Sequence, residues 1–217
     1  NSGTWDSFKG MVLGKTRLSY DALRFESNDE LSDTVSRDAN GIGFVGLPSV
    51  RQAKLIAISA GTAKALKPTR LTVATEDYAL SRRLYLYTDD EPSNIHVKPF
   101  IQFALSETGQ KIVAENGFIS QNIDIVEPES YNDLPEKFKQ LTETSKRLTV
   151  NFRFKQGSAK LDNRALRDIE RLVIFAKENP EVGGKGTFRA GIFVKEISKT
   201  AMQSSFAEMY NKLDVFP

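Results

Sequence analysis

The chain has 217 residues, 40% of them hydrophobic and 27% charged, a composition that suits one large globular domain or two small ones. Its 30 basic and 28 acidic side chains are mixed along the sequence and leave a formal charge of +2, so no basic patch points to nucleic acid. With no cysteine and one histidine, disulfides, thiolate metal sites and cysteine nucleophiles are excluded, a multi-histidine metal centre is disfavoured, and no cofactor is implied.

Taken in chain order, "SGTWDSFKGMVLG" reads as a short amphipathic helix with Trp5, Phe8, Met11 and Val12 on one face and Gly14 closing it. "NDELSDTVSR" at 28–37 is a second helix, and "GIGFVG" at 41–46 a short strand between glycines. Apolar runs at 54–59, 70–75 and 83–88, each bounded by polar or turn residues, read as further strands, so this part is expected to be α/β. Residues 97–116 form a predicted helix with Phe100, Ile101, Ala104, Leu105, Ile112 and Val113 as its apolar face, Pro99 in its first turn and Gly117 past its end; His96 is a helix-entry residue.

From Asp124 to Lys146 the composition shifts to prolines and charges, which predicts a linker with one short helix around Glu136–Thr142 and a domain boundary near 124. A second unit then begins at "RLTVNFRF", where Leu148, Val150, Phe152 and Phe154 alternate with polar residues as in a half-buried strand. A helix follows, capped by Asp162 or Asn163, with Ala165, Leu166, Ile169, Leu172, Val173 and Phe175 facing inward and Pro180 stopping it. A strand "TFRAGIFV" and a helical stretch at about 199–213 complete the reading. No apolar run approaches the roughly 18 residues needed to cross a bilayer as a helix, so no transmembrane segment is expected.

One constellation carries a chemical argument: Ser2, Gly3 and Thr4 at a helix N-terminus. The first turn of a helix leaves backbone N–H groups unpaired, and the helix dipole places partial positive charge there. Gly3 permits close backbone approach of an oxyanion, and the Ser2 and Thr4 hydroxyls add neutral donors. The same residues also read as a simple helix cap. A serine nucleophile at Ser2 would need a positioned base, for which His96 is the one histidine; no nucleophile-elbow pattern surrounds Ser2, and an enzyme is not expected.

"NSGTWDSF", "GIGFVGLPSV", "LYLYT" and "FIQFALSETGQKIVAENGFIS" occur in the order and spacing of the phosphate-binding periplasmic proteins that feed ABC transporters, and residues 1–123 resemble the second half of that family's type II two-lobe fold. The resemblance implies non-catalytic binding of phosphate or a similar oxyanion in the periplasm, delivered to an ABC permease. Only Ser2, Gly3 and Thr4 match the family's ligand positions; its other ligands are expected from sequence preceding Asn1. The stretch "VNFRFKQGSAKLDNRALRDIERLVIFAKENP" resembles the first strand, loop and helix of an OmpA-like peptidoglycan-binding domain, implying a smaller α+β unit over 147–217 after a linker at 124–146. That family's Thr-Asp and Asn-x-x-Leu-Ser-x-x-Arg-Ala elements are not found in the sequence that follows, where Lys195 and Glu196 stand near the expected turn. An alternative function follows from this second resemblance, that of a peptidoglycan-associated envelope protein using its first domain as an interaction platform.

Overall fold

Trp5 and Phe8, one turn apart, share a helical face, and both find the same partner: Phe44 stacks on Phe8 with ring centroids 3.9 Å apart and lies 6.0 Å from Trp5. They belong to α1 (Gly3–Phe8), which runs on into a π-helical turn at Lys9–Leu13. Gly14 ends it with φ +56, a conformation that suits glycine, and its N–H closes on the Lys9 carbonyl at 2.7 Å. The computed structural model describes residues 3–127, 136, 139, 140, 146–152 and 160–179. The chain divides into two compact units, Asn1–Asn122 and Ile123–Pro217.

In the first unit, α2 (Asn28–Arg37) is capped by Ser27, whose Oγ accepts from the Glu30 N–H at 3.3 Å. Asp29 and Glu30 in its first turn and Arg37 in its last complement the helix dipole. The chain that returns beneath α2 is fitted to it. Gly43 lies so close that a Cβ there would stand 2.6 Å from Leu31 Cδ2 and 2.9 Å from Val35 Cγ2. The Ser32 hydroxyl donates to the Val50 carbonyl, and Arg51 reaches Asp33 at 2.8 Å and Asp29 at 3.0 Å. The hydrogen bond and charge of Asp33, with Asp29 adding to them, raise the Arg51 guanidinium pKa above its ordinary value, so the clamp stays ionised. A 3-10 turn at Leu47–Ser49 then places Pro48 against Gly117, which has φ +79.

Three expectations are corrected here. Residues 70–75 are not a strand: Arg70–Ala74 form a helix, α3, because Thr69 and Thr72 build a reciprocal capping box that outweighs the strand preference of Thr72 and Val73. Residues 97–116 are not one helix but two, α4 (Val97–Leu105) and α5 (Glu107–Glu115), with Pro99 in the first turn of α4 as the pattern predicts. Ser106 makes the break: it is extended at ψ 163, and its Oγ accepts from the Gly109 N–H, so it caps a new helix instead of continuing the old one. Buried Gln110 knits the corner, donating from Nε2 to the Ala104 carbonyl at 2.8 Å and accepting from the Gln121 N–H at 2.7 Å. The apolar face read for this region is largely uncovered, with Phe100, Leu105 and Ile112 exposed. Finally, 41–46, 54–59 and 83–88 join no β-ladder among the described residues; Ile58 alone makes an isolated bridge, to Leu66. A strand needs a paired neighbour, which an apolar run does not by itself supply.

Tyr78, just after α3, is half-buried, and desolvation raises its phenol pKa above 10.0. The neutral phenol is the form the fold prefers. Its contribution is therefore intact below the unfolded value of about 10 and is lost as pH rises through the higher folded value. Between pH 9 and pH 11 the protein should lose more thermal stability than its Tyr78→Phe variant, read as the difference between their melting temperatures at each pH. Equal losses would dismiss the assignment.

In the second unit, β1 (Ile125–Val126) pairs antiparallel with β2 (Arg147–Leu148), Ile125 opposite Leu148 and Val126 opposite Arg147. The first of these strands lies inside the stretch read as linker, and the second is shorter than the strand read over 147–154; the Asp124 N–H extends the pairing by donating to Thr149 Oγ1 at 2.9 Å. Glu136, Lys139 and Gln140 are helical. The long helix α6 (Asn163–Glu178) starts at Asp162, whose Oδ1 accepts from the Ala165 N–H at 2.7 Å, which selects Asp162 over Asn163 as the cap. Ala165, Ile169, Leu172 and Ala176 form its buried stripe; Leu166, expected inside, is exposed, and Ala176, not anticipated, is buried. Asp168 sits in the same stripe, held by Arg164 at 3.3 Å and Arg171 at 2.8 Å. The strand "TFRAGIFV", the stretch 199–213, Pro180, Lys195 and Glu196 lie outside the described residues.

Candidate anion-binding turn

The candidate turn is positioned by aromatic packing at one end and a guanidinium at the other. Stacking of Phe8 and Trp5 on Phe44 fixes the body of α1. At its start, Arg82 Nη1 donates to the Gly3 carbonyl at 3.2 Å and to Ser7 Oγ at 2.7 Å, while Ser7 Oγ donates to the same carbonyl at 2.7 Å. Gly3 and Thr4 occupy the first turn, Gly3 exposed and Thr4 half-buried; Ser2 lies outside the described residues. A helix that begins at Gly3 leaves the N–H groups of its first turn without intrahelical acceptors.

A Cβ added at Gly3 would meet the Arg82 guanidinium nitrogens at 3.7 and 3.9 Å, ordinary contact distances. An alanine methyl therefore fits, whereas the extra methyls of valine enter the space between the guanidinium and the turn. Arg82 adds positive charge to the end of α1 that the dipole already makes positive. Asp6 offsets part of it: it stands in the same first turn with a carboxylate that repels an incoming anion.

Sequence reading missed Arg82. It lies 79 residues from Gly3, beside a second arginine, Arg83, that does something else: it grips Glu76, Nε to Oε1 at 2.5 Å and Nη2 to Oε2 at 2.8 Å. Nothing in "SRRLYLYT" distinguishes the two arginines, and only the folded path of the chain separates their roles. His96 is exposed and occupies the N-cap position of α4 without a capping bond from its side chain, and its backbone N–H donates to Asn94 Oδ1 at 2.9 Å. Among the described residues no group of three histidine, aspartate or glutamate side chains is arranged to hold a metal ion, and no helix is long and apolar enough to cross a membrane.

The phosphate-binding protein PstS of Borreliella burgdorferi is 28% identical over 126 residues, 55% of this chain and 45% of that protein. PstS of Staphylococcus aureus strain MRSA252 is 28% identical over 124 residues, 54% of this chain and 37% of that protein. About half of the chain is distantly related to phosphate-binding proteins. The chain spans less than half the length of these relatives. No family model matches the chain, and no solved structure matches it.

Proposed function

We propose that the first unit binds phosphate or a similar oxyanion, without catalysing its conversion, at the turn formed by Ser2, Gly3 and Thr4. The observation that carries the reading is the placement of the Arg82 guanidinium on the Gly3 carbonyl and Ser7 hydroxyl of that same turn. Donors and positive charge converge there from parts of the chain far apart in sequence, and an oxyanion is the chemistry they complement. The distant similarity of half the chain to phosphate-binding proteins supports it. On this reading residues 1–123 are part of a type II binding-protein fold acting in the periplasm as the substrate-binding component of an ABC-type uptake system. For residues 147–217 we propose an OmpA-like α+β unit, supported by the order of β2 and the Asp162-capped α6.

The turn is open to solvent, so an anion held there stays partly hydrated. Each exchanged hydrogen bond then contributes about 0.5–1.5 kcal/mol net. A few such bonds, less the cost of association, correspond to a dissociation constant of about 1 mM or weaker. Titration of the 217-residue chain with phosphate, followed by amide chemical shifts, should move the Gly3, Thr4 and Trp5 signals and saturate in that range. Gly3→Val should abolish the shifts and Arg82→Met should weaken binding several-fold. Shifts confined to a lysine cluster elsewhere would refute the site, and a micromolar constant would show that the turn is not the whole of it.

A further inference from the structure

The segment Arg82–Glu91, "RRLYLYTDDE", is exposed at every residue. An uninterrupted apolar run such as Leu84-Tyr85-Leu86-Tyr87 normally belongs to a strand covered on both faces. Here the four are 64%, 62%, 57% and 89% exposed, and residues 81–89 adopt no regular secondary structure and pair with no strand among the described residues. An exposed apolar segment whose backbone joins no ladder is open to pairing with another strand.

The charges flanking the run select the partner. Arg82 and Arg83 precede it; Asp89 and Asp90 follow it. We propose that this segment pairs antiparallel with the same segment of a second copy of the chain, centred on Leu86, to give a two-fold dimer. In that register Arg82 stands opposite Asp90 and Leu84 opposite Thr88 on one face, with Leu86 opposite itself. On the other face Arg83 stands opposite Asp89 and Tyr85 opposite Tyr87. Tyr85 and Tyr87 are already neighbours within one copy, with ring centroids 6.0 Å apart, so pairing gathers the rings of both copies into one cluster. Parallel pairing in register would instead place arginine on arginine and aspartate on aspartate, which costs stability. Arg82 and Arg83 remain exposed while they hold the Gly3–Ser7 turn and Glu76, so their charge still acts on a facing carboxylate. Those exposed pairs add little affinity; they select direction and register. This inference shares Arg82 with the proposed anion site, but its test changes position 86 and leaves Arg82 in place.

A short two-stranded contact is weak, so the dimer should form with a dissociation constant of roughly 0.1 mM. The chain has no cysteine, which allows single cysteines to read the register. In the Leu86→Cys variant the two thiols face each other across an antiparallel pair at a separation a disulfide can bridge. In the Leu84→Cys and Thr88→Cys variants the two copies' thiols lie about 14 Å apart along the strands. Under mild oxidation Leu86→Cys should give covalent dimers at least ten times faster than either neighbour, and Leu86→Lys should weaken dimerisation at least ten-fold in sedimentation velocity with an unchanged melting temperature. Equal cross-linking at 84, 86 and 88 would overturn the register. A chain that stays monomeric at 1 mM, or whose Leu86→Cys thiol is shielded from a small thiol reagent in the monomer, would overturn the proposal altogether and assign the face to another part of the polypeptide.

Discussion

Replacing Gly109 with alanine should unfold the first unit roughly 10 °C below the unmodified protein, a loss of about 3 kcal/mol. Gly109 lies in the first turn of α5, where alanine would ordinarily help, being about 1 kcal/mol better than glycine in a helix. Packing reverses that sign. The added Cβ would stand 2.1 Å from the Phe103 carbonyl oxygen and 3.0 Å from Ala104 Cα, and both are backbone atoms of α4 that cannot swing aside. The same carbonyl already accepts the Ser106 N–H at 3.0 Å and the Ser106 hydroxyl at 2.6 Å. Relieving the clash must therefore pull apart the Ser106 corner and the Gln110 bonds that tie it to Ala104 and Gln121. Gly10→Ala is the control, because a Cβ there meets nothing within 4 Å. Thermal melts of the two variants decide the matter, and similar melting temperatures would show that α4 and α5 do not meet at Gly109.

A comparable loss, about 2–5 kcal/mol, is expected for Ile169→Ala in the second unit. Ile169 is only 2% exposed and lies in the middle of the α6 stripe, between Ala165 and Leu172. Truncation removes its buried methyl groups and leaves a cavity that two neighbouring alanines, Ala165 and Ala176, are too small to refill. Leu166→Ala and Ile174→Ala remove as much apolar volume from the same helix, but at exposed positions, and should each cost under about 1 kcal/mol. Urea unfolding of the three variants, followed by helical circular dichroism, gives the comparison. Equal midpoints would mean that α6 buries a different face.

Local chemistry was legible wherever a few neighbouring residues settle the outcome. The bounds of α2 and α6, the glycine closures at Gly14 and Gly117, the place of Pro99 and the choice of Asp162 as one of two caps all follow from groups within one turn of each other. The start of a helix at Gly3 and Thr4 belongs to the same class, since the first turn is set by its immediate neighbours. Outcomes that depend on what lies across from a residue were not legible. Thr72 and Val73 favour a strand until the Thr69 box recruits them into a helix, and "LSETG" looks helical until Ser106 turns away to cap α5. The runs at 41–46 and 83–88 have strand composition, yet pairing is a property of two segments, and periodicity within one of them is silent about the other. Arg82 is the sharpest instance: its sequence neighbours make it indistinguishable from Arg83, and only the fold sends one guanidinium to Glu76 and the other to the carbonyl of Gly3. The sequence alone thus determined which short segments could cap, turn or offer free amides, because those properties are set by bonded neighbours. The tertiary structure decided which charges and faces those segments meet, because contacts between residues far apart in the chain are set by packing.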